Sequence, residues 1–355
     1  MTNDNGEQLK QIIDDCRKIL DLEIAKLKNE YTLERARARA STVNNALEEL
    51  GKISKLIRAQ TTKLGIVFKP PIKDDTVSTA TQTLRETIRY VILLVSLAYQ
   101  LYVESASYSV IFAKELKDKI VHVITDFRDL VNGLDDLVDQ YGIVAVNADE
   151  VDDQSSRLVS VGKVWDGCDA VISTLEGGSH GVLVSRIKET IDIMTDAISE
   201  LGEWLESPEK LSDPFDISSF NSDDDNDSHN EPETEIPEDT IAFGHQCLQK
   251  SKLVKLLIFS LQKSVPAAKS TSSLDEKKKY ASQIDGLFES QRRIGEIIDD
   301  LACAIMVEQD PEEAETILKR LAAETSEILK LVKDLNHSDE KKINWANTWE
   351  AKYYE

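Results

Sequence analysis

Ile187-Lys-Glu-Thr-Ile191-Asp-Ile-Met194-Thr-Asp-Ala-Ile198-Ser-Glu-Leu201-Gly-Glu-Trp-Leu205 decides the fold class. Apolar residues recur in steps of 4-3-4-3-4, which puts one side chain per turn on a single seam of a bundle helix. The same periodicity extends upstream. A first helix carries Leu9, Ile12, Ile13, Cys16, Ile19, Leu20 and Leu27. A second, from about Leu33 to Leu64, sets Ala36, Ala40, Val43, Leu47, Leu50, Ile53 and Ile57 on one face, and Pro70-Pro71 marks a break. The third, about Ala80 to Phe112, is apolar nearly all round from Ile88 to Val103, the pattern of a helix at the centre of a bundle. A fourth shows Leu116, Ile120, Ile124, Phe127, Leu130, Leu134, Leu137 and Tyr141. A fifth shows Leu158, Val161, Val164, Trp165, Cys168, Ile172 and Leu175 before Gly177-Gly-Ser-His-Gly181 interrupts the chain.

Downstream, Phe243 to Val265 predicts one long helix and Leu274 to Val307 a second, with Ile284, Leu287, Ile294, Ile298, Leu301 and Ile305 on one face. Asp310-Pro-Glu-Glu313 is a helix start: Asp as N-cap, Pro at the first helical position, Glu closing a capping box. Ala314, Ile317, Leu321, Ile328 and Leu335 follow on its inner face, and Trp345, Trp349 and Tyr353, four apart, predict a short terminal helix docking aromatics on the bundle. No apolar–polar alternation of strand length is present. The expectation is therefore an all-α protein.

Charge divides the 355 residues. Glu206 to Asp239 holds thirteen Asp/Glu against Lys210, a net −12 out of −23, together with Pro208, Pro214, Pro232 and Pro237. Such a stretch buries too little apolar surface to offset its ordering entropy and is expected to be a disordered acidic linker. The expected domains are an N-terminal bundle at 1–205, the linker at 206–239, and a C-terminal bundle at 240–355.

The net charge argues against direct nucleic-acid binding, which rests on Lys and Arg neutralising phosphates, and against docking on an anionic membrane. The polar N-terminus lacks the basic and apolar regions of a signal peptide. The longest uncharged apolar run, Tyr90 to Val103, is shorter than the roughly 20 residues that span a bilayer. Cys16, Cys168, Cys247 and Cys303 are far apart and read as reduced thiols buried as small apolar residues. The chain is expected to be intracellular.

No pattern carries catalysis. A di-iron bundle needs paired Glu-x-x-His motifs, and the nearest approach is a single Asp334-Leu-Asn-His337. His245 and Cys247, two apart, point in different directions on a helix, and Ser179-His180 lacks a strand–turn–helix setting. The expectation is a non-enzymatic protein without metal or cofactor. Two features point to interaction instead. Arg35 to Lys73 holds nine basic residues (Arg35, Arg37, Arg39, Lys52, Lys55, Arg58, Lys63, Lys69 and Lys73) against Glu48 and Glu49. The electrostatic face is assigned to Arg35, Arg39, Lys52, Lys55, Arg58 and Lys63, onto which the acidic linker folds in competition with an acidic partner; an ordinary solvated face is the alternative. Ser207-Pro-Glu-Lys210 fits a proline-directed kinase site, and Ser222 and Ser228 precede acidic residues suited to acid-directed kinases.

Ile53-Ser-Lys-Leu-Ile-Arg-Ala-Gln-Thr-Thr-Lys-Leu-Gly-Ile-Val-Phe-Lys-Pro-Pro71 resembles the end of the second helix in the cyclin-D-binding (GCIP, Id-like helix-loop-helix) family. Val164-Trp-Asp-Gly-Cys168 resembles that family's Val-Trp-x-x-Cys motif, and Asp213 to Glu231 resembles its acidic central insert. The resemblance implies two helical bundles, the N-terminal one an up-down bundle of vinculin/talin type. It implies binding to cyclins, helix-loop-helix or transcription regulators and adaptors, and negative regulation of cell-cycle progression in cytoplasm and nucleus. A vinculin/talin-like cytoskeletal adaptor is the alternative. Trp165 and Cys168, three apart on one helix face, are expected to pack in the core.

Overall fold

The structure, a computed structural model, describes residues 2–29, 33–146, 156–208, 236–268 and 273–355. Among these the protein is all-α, with ten helices. In chain order they are α1 (Thr2–Lys28), α2 (Leu33–Arg37), α3 (Ala46–Val67), α4 (Asp74–Val103), α5 (Val110–Tyr141), α6 (Arg157–Glu206), α7 (Glu238–Ser264), α8 (Leu274–Met306), α9 (Pro311–Leu335) and α10 (Glu340–Tyr354). Most of the expected acidic linker, with Ser222 and Ser228, lies outside the described residues.

The helices sort into two compact units, Met1–Val182 and Leu183–Glu355. The division falls next to the glycine break and not at the acidic stretch. The cause is the seam quoted above: Ile187, Met194, Ile198, Leu201 and Leu205 are buried, and their neighbours belong to α7 and α8. A Cβ placed on Gly244 of α7 would sit 2.8 Å from a Leu205 methyl and 3.1 Å from Ile305 of α8. The chain passes between units through α6 itself, whose only non-helical residue is Gly178 (φ 56°, ψ −160°), a conformation open to glycine at no steric cost.

In the first unit α4 touches α1, α2, α3 and α5, the central position expected from its apolar run. It is also the one described helix long and apolar enough to cross a membrane; here fourteen of its residues, Leu84, Val91, Leu94 and Leu101 among them, are buried in the unit's core. α1 runs antiparallel to α5, with Lys10 paired to Asp139, Arg17 to Asp135, and Arg128 reaching Asp21 at 3.5 Å. The first arm of α6 runs antiparallel to α3, where Gly65 lets Val161 approach to 3.1 Å of a notional Cβ. Two residues before α4 and two after α5 form a small parallel pair, Ile72 with Ile143 and Lys73 with Val144.

Two expected helices divide differently. Residues 33–64 are not one helix: the chain leaves α2 after Arg37 and re-enters helix at Ala46, with Asn45 accepting the Glu48 N–H at 3.2 Å as N-cap. Gln100 on α4 replaces the missing helical bonds, donating to the Val43 carbonyl at 2.7 Å and accepting the Val43 N–H at 3.3 Å. The third helix ends at Val103 instead of Phe112, because Ser109 caps α5. Leu158, placed on an inner face by periodicity, is exposed.

In the second unit α8 and α9 pair antiparallel, tied by Arg293 to Glu324 at 2.8 Å and Lys279 to Asp334 at 3.1 Å. Asp310 accepts the N–H groups of Glu312 and Glu313 with Pro311 at the first position; the reciprocal capping box occurs instead at Ser273 and Glu276, at the start of α8.

Candidate interaction surfaces

The six assigned basic residues do not form one face. Arg35 is exposed on α2. Arg39 follows α2 and is held by both carboxylate oxygens of Glu23, at 2.6 and 2.8 Å, with its guanidinium 5.1 Å above the Tyr99 ring. This is a clasp between α1, α4 and the α2–α3 connection, and Arg39 is not offered to a partner. Lys52 is bracketed by Glu48 at 2.7 Å and Glu49 at 2.9 Å, which raise its pKa while its hydrogen bond lowers that of Glu48. Arg58 meets Asp169 of α6 at 3.1 Å and lies 5.2 Å over the Trp165 ring. Lys55 and Lys63 are exposed with no ion pair among the described residues.

What α3 does present is a mixed stripe. Lys52, Lys55, Leu56, Ala59, Lys63 and Ile66 follow one another at helical spacing and are all exposed, Ile66 at 69%. Two large apolar residues framed by lysines on an outward helix face suit an acidic partner with apolar anchors. Periodicity had pointed to the buried stripe of α3 only; reading the opposite face for apolar residues among the lysines finds Leu56 and Ile66. A second feature of this unit is a cleft of about 550 Å³ where α4 ends and α5 begins, lined by Leu101, Tyr102, Val110, Ala113 and Lys114.

The Trp165 and Cys168 pair splits. Cys168 is fully buried and its thiol is pushed up to about 12 by burial. Trp165 is only half-buried, roofed by Arg58, with its indole N–H unpaired. Cys16 and Cys247 are likewise buried and pushed up to about 12, whereas Cys303 is exposed, contrary to the expectation of four buried thiols. It lies on the outer side of α8 near Asp299, Asp300 and Glu308. No group of three or more His, Cys, Asp or Glu is placed to hold a metal among the described residues. Ser207 is exposed one residue beyond α6.

An uncharacterized protein of Saccharomyces cerevisiae is 25% identical over 315 residues, covering 87% of this chain and 85% of that protein. An uncharacterized protein of Schizosaccharomyces pombe is 24% identical over 314 residues, with the same two shares. Residues 49–207 match the family model described as Grap2 and cyclin-D-interacting, N-terminal. That span takes in α3 from its fourth residue on, the Arg58–Trp165 contact and the whole of α6. Residues 49–207 are thus similar to the N-terminal domain of the Grap2 and cyclin-D-interacting family, the family the chain's motifs resemble.

Proposed function

We propose that this protein is a non-enzymatic regulator that binds cell-cycle or transcription proteins of the cyclin-D-binding type and restrains cell-cycle progression, in cytoplasm and nucleus. The observation that carries the reading is the family match over 49–207. The outward face of α3 lies within that span, and Lys55, Leu56, Lys63 and Ile66 are its contact residues. Its lysines steer an acidic partner, and its two apolar side chains are the desolvated anchors.

Affinity purification of the full chain from cells, followed by mass spectrometry, tests this reading. The wild type is expected to recover cyclins or transcription regulators, and Lys55→Glu/Lys63→Glu to lose them by about tenfold, the scale of reversing two steering charges. Equal recovery by the variant removes the α3 face. Recovery of actin and junction proteins in place of cyclins or transcription regulators removes the cell-cycle reading.

A further inference from the structure

α10 lies antiparallel along α7. Trp349, 5% exposed, donates its indole N–H to the Leu253 carbonyl at 2.9 Å. Tyr353 stacks on it with ring centroids 5.0 Å apart, and the Lys250 ammonium sits 4.8 Å from the Tyr353 centroid. At the other end Lys342 donates to the Ser264 carbonyl at 3.3 Å. Trp345, one turn before Trp349, is left outside this packing and is 36% exposed. Leu256 and Phe259 on α7 are 51% and 52% exposed. Together with Lys263, Lys341 and Lys342 these three line a cleft of about 330 Å³.

Charge around the cleft is one-sided. From Thr240 to Leu274 the chain has no Asp or Glu but five lysines, inside a protein of net charge −23. Lys263 and Lys341 make no ion pair among the described residues, and Lys342 has only Asp339, at 3.8 Å. Glu340 is the other nearby carboxylate, at the first turn of α10.

We propose that this cleft docks an acidic, amphipathic segment of a partner protein. Bulky apolar side chains of that segment enter between Phe259 and Trp345, and its carboxylates meet Lys263 and Lys341. The cleft has a volume at the low end of pockets that enclose a ligand, about 300–1,000 Å³, which suits single bulky side chains of a partner segment. The site lies outside 49–207 and is independent of the α3 face.

The test is fluorescence anisotropy with a fluorescein-labelled Glu-rich helical peptide carrying Leu and Phe at i, i+3 and i+7, titrated with the full chain. Binding is expected, with loss of about tenfold in Lys263→Glu/Lys341→Glu and in Phe259→Ser, and weakening as salt rises. Both lysines are exposed and unpaired, so a melting curve matching wild type shows that the charge variant is folded. Equal binding by wild type and the charge variant overturns the proposal. So does preferential binding of the same peptide with Lys in place of Glu. Binding of phosphatidylserine-containing vesicles without peptide binding assigns the cleft to membranes. Deletion of 209–235 that tightens peptide binding about tenfold assigns it to the chain's own acidic stretch.

Discussion

Arg39 Nη2 lies 2.6 and 2.8 Å from the two carboxylate oxygens of Glu23, sixteen residues earlier on α1. Glu23 is 7% exposed, so the pair bridges a helix core and an irregular connection that is also held by Gln100 and by the Ser41 N–H on the Ser96 carbonyl. Arg39→Ala leaves the buried Glu23 carboxylate with Lys26 at 3.3 Å as its remaining ion pair and is expected to cost about 2 kcal/mol, whereas Glu23→Gln, which keeps a hydrogen bond to the guanidinium, costs about 1. Thermal melts of the two variants check the order.

Two glycines separate close packing from helix propensity. Gly133 in the middle of α5 has no atom within 4 Å of a notional Cβ, so Gly133→Ala is expected to stabilise by about 1 kcal/mol. Gly244→Val drives branched methyls into Leu205 and Ile305 and is expected to cost about 1–3 kcal/mol. Denaturant titration of each variant gives the signs.

Trp349→Ala removes a buried ring, its bond to Leu253 and its stack on Tyr353. A loss of about 3 kcal/mol is expected, concentrated in α10. Hydrogen exchange of residues 340–354 that stays as slow as wild type contradicts this.

Thiol chemistry should be confined to one position. At pH 8 iodoacetamide is expected to alkylate Cys303 in the native protein and spare Cys16, Cys168 and Cys247. Cys303 reacts slowly for an exposed thiol, because partial burial and its acidic neighbours raise its pKa too. The three buried thiols have folded pKa values raised from 9.0 to about 12. Their contribution to stability is therefore whole below pH 9.0 and lost as pH climbs toward about 12. Melting temperature against pH in that window reads the loss.

Phosphate is expected on Ser207, Ser222 and Ser228 in cells. Ser207 is exposed beyond the carbonyl end of α6, where added negative charge costs about 0.3–1 kcal/mol through the helix dipole. Phosphopeptide mapping with no modification between 205 and 230 removes the regulatory reading.

Helices were legible from the sequence where a core imposes spacing. Five of the six seam residues from Ile187 to Leu205, all but the half-buried Ile191, and the face from Ile284 to Ile305 are buried as that spacing requires. Their ends were less legible. The 38–45 connection depends on Gln100, fifty-seven residues after Val43, and no local pattern carries such a bond. Ser109 closes a polar interruption, Glu104-Ser-Ala-Ser-Tyr108, too short to stand out between the apolar runs that end at Val103 and resume at Val110. The packing boundary was missed because charge density marks where a chain stays polar, not which core a helix enters. The basic stretch was misjudged for a similar reason: Arg39 and Arg58 find Glu23 and Asp169 only in three dimensions, leaving Lys55 and Lys63 as the open charges.

α6 has one more consequence. Its second arm lies before the acidic stretch in the chain but within the core built with α7 and α8. Protease nicking between 209 and 235 would therefore yield complementing fragments that travel as one particle, and residues 240–355 produced alone would lack the partner surface for Gly244, Leu248 and Ile305 and self-associate through it.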